Sequence, residues 1–138
     1  MKLVFESNLD AVRTGLADLL ASDALCAMEQ DARGAAEIVL AEVFNNVVEH
    51  AYATSQGKIE VCLKDHPEGV LVTVTDSGIP FPQQQLPQGL LPEVKSSDDL
   101  PEGGFGWYLI RSQVRHLAYR REGKTNHLTF CLPYKAAH

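Results

Sequence analysis

Residues 42–52, EVFNNVVEHAY, carry many oxygen-bearing side chains for a segment with helical periodicity. At about 100° per residue the apolar residues fall on one side, while Glu42, Asn45, Asn46 and Glu49 gather on the other. The segment contains no Lys or Arg, although a solvated helix face commonly gains stability by pairing acids with basic residues. Carboxylate and amide oxygens without basic partners suit a hard divalent cation. At this point an ordinary solvated face remains the alternative.

An acid followed by a glycine ends a later apolar segment. Asp76 comes directly after the strand-like run at 70–75, and Gly78 lies two residues further on. A carboxylate at a strand end can accept hydrogen bonds from an exocyclic amine, and a glycine there lets a flat ring approach the backbone. Taken alone, this segment is more typical of an Asx turn that is closed by glycine.

Gly103, Gly104 and Gly106 stand at the start of another helical segment. Glycines at a helix start leave backbone N–H groups unobstructed, and the helix dipole there favours an anion. A P-loop is excluded at this helix start because no Gly-Lys-Ser/Thr follows these glycines. A dinucleotide fingerprint is excluded because a long loop precedes the glycines and Leu109 occupies the third glycine position. The remaining description is a flexible lid that leads into a glycine-rich helix start.

The elements that must position these groups follow from periodicity and turn residues. Strands are predicted over 2–6, 58–64, 70–75, 118–121 and 127–132, and helices from about 8, from 31 to 52 and from 103 to 117. Residues 79–102 hold five of the seven prolines and no usable periodicity, which is typical of a lid or binding loop. The order predicts an α+β fold in one domain, 1–138, with helices on one face of a mixed, mostly antiparallel sheet.

Length, charge and apolar patterning limit the class of protein. A chain of 138 residues with a net charge of −6 can bury a core but is a poor partner for nucleic acid. Glu6 and Asp10 interrupt the start too early for a signal peptide, and no apolar run approaches the roughly 20 residues of a membrane span. A cytoplasmic protein without a membrane partner is therefore predicted. Cys26, Cys62 and Cys131 form no CxxC pair and are interpreted as small buried residues.

The three motifs in this order resemble those of the GHKL-type ATPases, the superfamily of gyrases, heat-shock chaperones and histidine kinases. The pattern E-x-x-x-N-x-x-x-H-A-Y, which starts at Glu42, and the short length resemble the anti-sigma-factor serine/threonine kinases of bacterial partner-switching systems. The resemblance runs from about Glu6 to Leu132. It implies a two-layer α/β sandwich that binds ATP together with Mg²⁺.

The resemblance also implies roles for individual residues. Glu42 would be the general base, and Asn46, one helical turn later, would be the magnesium ligand. Such an i, i+4 pair shares a helix face, which places the base beside the metal. Asp76 would receive the adenine amine, and Gly78 would let the ring lie close.

Further residues are assigned, with two departures from the superfamily pattern. Gly104 and Gly106 would line the phosphates below a lid over about 86–103. The superfamily often places a Thr near the adenine, and Asn126 takes that position here as a nucleotide-binding residue. Trp107 stands where a smaller aliphatic residue is usual, so its ring would either cover the nucleotide or pack under the lid.

The roles of several polar residues stay open. Asn45 and Glu49 would support the metal site or would simply be exposed. His50 and Tyr52 are interpreted as residues that pack the helix end. Arg111 would reach a phosphate or lie on the surface as an ordinary arginine.

The resemblance implies an ATP-dependent protein serine/threonine kinase that phosphorylates an anti-sigma-antagonist domain of the STAS type. It also implies that the chain holds a sigma factor or another effector, and that it forms a homodimer. One alternative is a nucleotide-gated protein-binding module with little or no kinase activity, which the departures at Trp107 and Asn126 favour. The other is a small α/β interaction domain that binds no nucleotide.

Overall fold

The computed structural model describes residues 1–88 and 104–135. One sheet has the strand order β1-β2-β3-β5-β4, and all four pairings among the described residues are antiparallel. The strands are β1 (Lys2–Glu6), β2 (Lys58–His66), β3 (Gly69–Asp76), β4 (Arg115–Glu122) and β5 (Thr125–Pro133). The helices are α1 (Leu9–Leu20), α2 (Asp23–Cys26), α3 (Gln30–Asn46) and α4 (Gly104–Gln113). The predicted α+β class is confirmed.

The core lies between the helices and one face of the sheet. Along β2 and β3 burial alternates, so that Ile59 and Val72 are fully buried while their neighbours in sequence are less so. This alternation is expected of an antiparallel sheet that is covered on one face. Leu40, Val43 and Phe44 of α3 belong to the same buried cluster as these strand residues. The apolar side of α3 is therefore held against the sheet, which fixes where its polar residues can lie.

The long helix predicted over 31–52 changes its geometry near its end. α3 begins at Gln30, and a π-helical turn, Val47–Ala51, follows it directly. Such turns insert an extra residue into the helical spiral and occur frequently at functional sites. Because the turn rotates the residues that follow it, a uniform 100° spacing misplaces the side chains beyond Asn46.

The last predicted helix is too long. α4 ends at Gln113 and β4 begins at Arg115, so Leu117 lies in a strand and not in the helix. The spacing of the apolar residues at this point fits either a helix or a strand. Pairing with β5 supplies backbone hydrogen bonds that favour the strand. The pairing of β4 with β5 has a register shift between Arg115 and Ala118, at the start of β4.

Two smaller expectations have different outcomes. Cys131 is buried and Cys62 is half-buried, but Cys26 is exposed, so the interpretation of all three as buried residues is wrong for Cys26. Within residues 1–88 and 104–135, none of the helices combines the length and the apolar character that a bilayer crossing requires.

Candidate functional site

A cavity of about 740 Å³ lies between the end of α3, the covered face of the sheet and the first turn of α4. Within the described part of the chain, three polar or charged residues are buried: Asn46, Asp76 and Asn126. All three line this cavity, and all three were predicted from the sequence as site residues. Burying polar groups is unfavourable unless they are partnered, so their convergence on one mostly apolar cavity indicates a ligand site.

Asp76, the last residue of β3, presents a buried carboxylate to the cavity. Its Oδ1 accepts hydrogen bonds from the backbone N–H of Gly78 at 2.9 Å and from Nδ2 of Asn126 at 2.8 Å. No donor among the described residues reaches Oδ2. Burial raises the pKa of Asp76, and the hydrogen bonds from Asn126 and Gly78 offset this only in part. A donor that enters the cavity, such as an exocyclic amine, would satisfy Oδ2 and stabilise the charged form.

Asn126 is directed at Asp76 and at the chain that follows it. Besides Asp76, its Nδ2 donates to the carbonyl oxygen of Ile79 at 3.0 Å and, more weakly, to that of Gly78 at 3.4 Å. Its Oδ1 accepts from the Tyr119 hydroxyl at 2.6 Å and from Nη1 of Arg121 at 3.0 Å. Both ends of the amide are thus engaged by protein groups. The geometry makes Asn126 a residue that positions Asp76.

Tyr119 and Arg121 were missed at the sequence level. Both lie on β4, and their register partners on β5 are Leu128 and Asn126. Arg121 also donates to the carbonyl oxygen of Gly78 at 2.6 Å. The predicted strand at 118–121 already contained both residues, and its alternation puts them on one face, which was the available signal.

The backbone that surrounds Gly78 leaves no room for a larger residue. An added Cβ would collide with the carbonyl group of Ala51 at the end of the π-helical turn. That carbonyl accepts a hydrogen bond from the N–H of Ile79 at 2.8 Å, so the two segments are in direct contact. The prediction that Gly78 also admits a flat ring stays a prediction.

Tyr52 also connects the end of the π-helical turn to the segment that follows Asp76. Its hydroxyl accepts from the N–H of Ser77 and donates to the carbonyl of Lys58, both at 2.8 Å. Tyr52 is buried, which confirms that it packs the helix end. His50 is exposed and lines the cavity, so the same interpretation is wrong for His50.

The polar side of α3 meets the start of α4. A Cβ added to Gly106 would lie 2.7 Å from Oε2 of Glu42 and 4.0 Å from Nδ2 of Asn46. The structure therefore brings together the predicted base, the predicted metal ligand and one predicted phosphate-lining glycine. Glu42 is half-buried and sits beside the cavity without forming part of its described lining. Gly104 is the first residue of α4.

Asn46 fits a ligand that the protein itself does not supply. It is 8% exposed, and its Nδ2 is buried without a hydrogen-bond partner among the described residues. An unpartnered buried amide is unfavourable by about 1–3 kcal/mol, so such groups are rare and are commonly satisfied by a bound group. Turning the amide by 180° exchanges its oxygen and nitrogen, so the same position can offer an oxygen to a cation. The donor set therefore fits a magnesium–nucleotide pair.

Trp107 is part of an aromatic wall of the cavity. It is 5% exposed, and its ring packs edge-on against Phe81 at a centroid distance of 5.5 Å. Phe81 packs in the same manner against Tyr119 at 5.0 Å. Trp107 therefore lines the cavity and packs on the segment that precedes the predicted lid.

The remaining candidates lie away from the cavity. Glu49 is exposed and Asn45 is half-buried, and neither belongs to the described lining. Arg111 is exposed and donates through Nε to the carbonyl of Pro87 at 3.0 Å, which links α4 to the segment after Phe81. Most of the predicted lid over 86–103, including Gly103, lies outside the described residues.

Comparisons with known proteins agree with this geometry. A family model described as "Histidine kinase-like ATPase domain" matches residues 5–132. The serine/threonine-protein kinase BtrW of Bordetella bronchiseptica is 33% identical over 90 residues, which is 64% of this chain and 61% of that protein. The serine-protein kinase RsbW of Bacillus cereus is 31% identical over 78 residues, or 55% of this chain and 49% of that protein. The chain thus matches about half to three fifths of the length of these relatives.

The family match covers β2, β3 and β4 in full, β5 up to Leu132, β1 from Phe5 onward and all residues of the cavity. ATP is the ligand that such a domain implies. The chain therefore belongs to the family of histidine kinase-like ATPase domains.

Proposed function

We propose that the chain is an ATP-dependent protein serine/threonine kinase that phosphorylates an anti-sigma-antagonist partner of the STAS type. The observation that carries the proposal is the meeting of Glu42 with Gly106 and Asn46 at one end of a cavity whose buried wall includes Asp76. A module that only bound nucleotide would need Asp76 and Asn46 but would have no use for a carboxylate at Glu42. The names of the two relatives support a kinase.

In this proposal the cavity binds the adenine. Oδ2 of Asp76 accepts a hydrogen bond from the exocyclic amine, while Asn126 and the N–H of Gly78 hold Oδ1 in place. The apolar and aromatic walls, with Trp107 among them, cover the ring faces.

The polar end of the site holds the phosphates. Asn46 would hold the magnesium ion, and Gly104 and Gly106 would line the phosphates with the N–H groups of the first turn of α4. Bound magnesium supplies positive charge that offsets the charge of the phosphates. Glu42 orients the serine or threonine hydroxyl of the partner and accepts its proton as that oxygen bonds to the γ-phosphorus and ADP leaves.

The phosphorylation cycle would control a second partner. The chain would hold a sigma factor or another effector until the antagonist displaces it, and phosphorylation of the antagonist would reverse that exchange. Val4 and Leu9, on β1 and at the start of α1, are large exposed apolar residues and offer a surface for the expected homodimer. Light scattering of the purified chain tests the dimer.

The kinase test compares two variants of the same helix. Glu42→Gln keeps the size of the side chain and removes the base, and Glu37→Gln is a matched change at an exposed position of α3. With radiolabelled ATP and the antagonist encoded nearby, transfer by Glu42→Gln is expected to fall by about 10²–10⁴-fold. ATP affinity, followed by the fluorescence of Trp107, is expected to stay within about threefold because Glu42 contacts no adenine group in this proposal.

The outcomes separate the candidate functions. Intact transfer by Glu42→Gln with unchanged ATP binding would show that the role given to Glu42 is wrong. ATP binding by the wild-type chain without transfer to any nearby antagonist would favour the nucleotide-gated binding module. Failure of millimolar ATP with Mg²⁺ to raise the melting temperature would leave the interaction domain, because ligand at 100 times its Kd adds about 2.7 kcal/mol.

A further inference from the structure

A second cluster of ligand-type side chains lies at the other end of β3 from Asp76. His66 ends β2, Glu68 lies in the turn before β3, and Cys131 lies in β5. One ligand atom from each of the three lies within 4.8 Å of the others. Since β3 spans eight residues, the cluster is about 23 Å from Asp76 along the strand. It is therefore separate from the nucleotide cavity.

The spacing of His66 and Cys131 is close to that of two ligands on one metal ion. Sγ of Cys131 lies 3.8 Å from Nδ1 of His66. Zinc–sulfur and zinc–nitrogen bonds of about 2.3 and 2.0 Å at a tetrahedral angle place the two ligand atoms about 3.5 Å apart. Both residues lie in strands that pair with β3, so the sheet itself sets this distance.

His116 adds a fourth ligand-type group. Its Nε2 lies 2.7 Å from Oε2 of Glu68, and its ring centroid is 5.7 Å from that of His66. Two imidazoles on one tetrahedral ion have centroids roughly 5 Å apart. His116 has a φ of 57°, a region that residues with a Cβ seldom adopt, and it lies in the irregular stretch of β4. Such irregularities re-aim side chains, here toward Glu68.

The protonation of His66 also suits a metal. The backbone N–H of Glu68 donates to Nδ1 of His66 at 3.0 Å, so this nitrogen carries its lone pair and no proton. A metal ion at Nδ1 would replace that hydrogen bond, and the exposed N–H of Glu68 would donate to water instead. Nη1 of Arg115 lies 3.8 Å from Oε2 of Glu68, but its side chain is 52% exposed and can swing into solvent when a cation binds.

We propose that His66, Glu68, His116 and Cys131 bind a transition-metal ion of the Zn²⁺ class. One thiolate, two imidazoles and one carboxylate form a tetrahedral set that zinc accepts, whereas magnesium prefers oxygen ligands. The Cys131 thiol releases its proton to solvent as the ion binds. The ion would clamp the β2–β3 turn to β4 and β5 and thereby stabilise this end of the sheet.

Cobalt(II) titration of the full chain without nucleotide tests the site. A tetrahedral site with a thiolate gives Co²⁺ intense visible bands and a thiolate-to-cobalt charge-transfer band, which oxygen ligands at the nucleotide site cannot produce. Cys131→Ser removes the thiolate, and Cys62→Ser is the matched control on β2. Because Cys131 is fully buried, the exposed Glu68→Gln is measured as well, with circular dichroism to check each fold.

The expected result is a charge-transfer band in the wild type and in Cys62→Ser that Cys131→Ser lacks. Glu68→Gln is expected to keep the fold and to bind Co²⁺ at least about tenfold more weakly. A wild-type spectrum without the band, or a band lost equally in Cys62→Ser, would overturn the proposal. Unchanged Co²⁺ affinity in Glu68→Gln would overturn the assigned ligand set.

Discussion

Replacing Asn126 with leucine is expected to lower the free energy of unfolding by about 2.5–4 kcal/mol. Leucine has a similar volume but offers no polar atom to the carboxylate of Asp76 or to the carbonyl of Ile79. The bond to Asp76 has a charged acceptor and contributes about 1.5–3 kcal/mol, and the bond to the Ile79 carbonyl contributes about 1 kcal/mol. The hydrogen bonds from Tyr119 and Arg121 to Asn126 are only partly buried. In the variant these donors can bond to water instead, so they add little to the loss of stability.

Urea unfolding at neutral pH measures this loss. Far-UV circular dichroism reports the whole fold, and the fluorescence of Trp107, the one tryptophan of the chain, reports the cavity wall. With a slope of about 1.5 kcal/mol per molar urea, the midpoint is expected to fall by about 2 M. Gln85→Leu, which changes an exposed amide, is the control and should stay within about 0.5 kcal/mol of the wild type.

A double-mutant cycle with Asp76→Ala identifies the source of the loss. Without the carboxylate, Asn126→Leu should be less destabilising by at least about 1.5 kcal/mol, because no charged acceptor is left unpaired. Additive effects of the two substitutions would refute the reasoning. So would a loss below about 1 kcal/mol for Asn126→Leu alone, which is the typical effect of any substitution.

The pH dependence of stability tests the same interaction independently. Burial raises the pKa of Asp76, and the bond from Asn126 lowers it, so the pKa is higher still in Asn126→Leu. The folded variant therefore holds its proton more tightly than the folded wild type. The difference in stability between the wild type and the variant should be largest above the pKa of Asp76 in the variant. It should become smaller as the pH falls through that pKa.

Three further outcomes are expected. Gly78→Ala should destabilise the fold by about 1–3 kcal/mol because its Cβ collides with backbone, whereas Gly34→Ala, in an open part of α3, should stabilise it by about 0.5–1 kcal/mol in thermal unfolding. Gly106→Ala should displace the Glu42 carboxylate and slow phosphoryl transfer with little change in melting temperature; equal rates would contradict the contact. ATP affinity should weaken as the pH falls through the raised pKa of Asp76, and Asp76→Asn should bind ATP weakly at every pH.

Local chemistry in the sequence was sufficient to predict most of the fold. β1 was predicted with its observed bounds because its short apolar run is followed by Ser7 and Asn8, both residues that commonly cap helices. Asn8 does cap α1 through its side chain. The turn residues at 65–69 likewise predicted the β2–β3 hairpin.

The polar residues of the site were predicted from type and order. Asp76 and Asn126 were assigned from the order of the motifs and the resemblance to the superfamily, and their burial is seen only in the structure. Asn46 conflicts with a local preference, since an asparagine inside a helix is unfavourable unless something else needs it. That conflict is visible without coordinates, and so is the lack of basic residues near Glu42.

Only the tertiary structure decided how these groups act on one another. Hydrogen bonds show that Asn126 holds Asp76, a relation between residues fifty positions apart that no local pattern encodes. At the end of the π-helical turn, the carbonyl of Ala51 accepts from the N–H of Ile79 and the hydroxyl of Tyr52 accepts from the N–H of Ser77, and both donors come from a different part of the chain. Side-chain type sets what a residue can donate or accept, but the partner is chosen by the packing of distant segments, and this is why the site could be identified from the sequence and its connections could not.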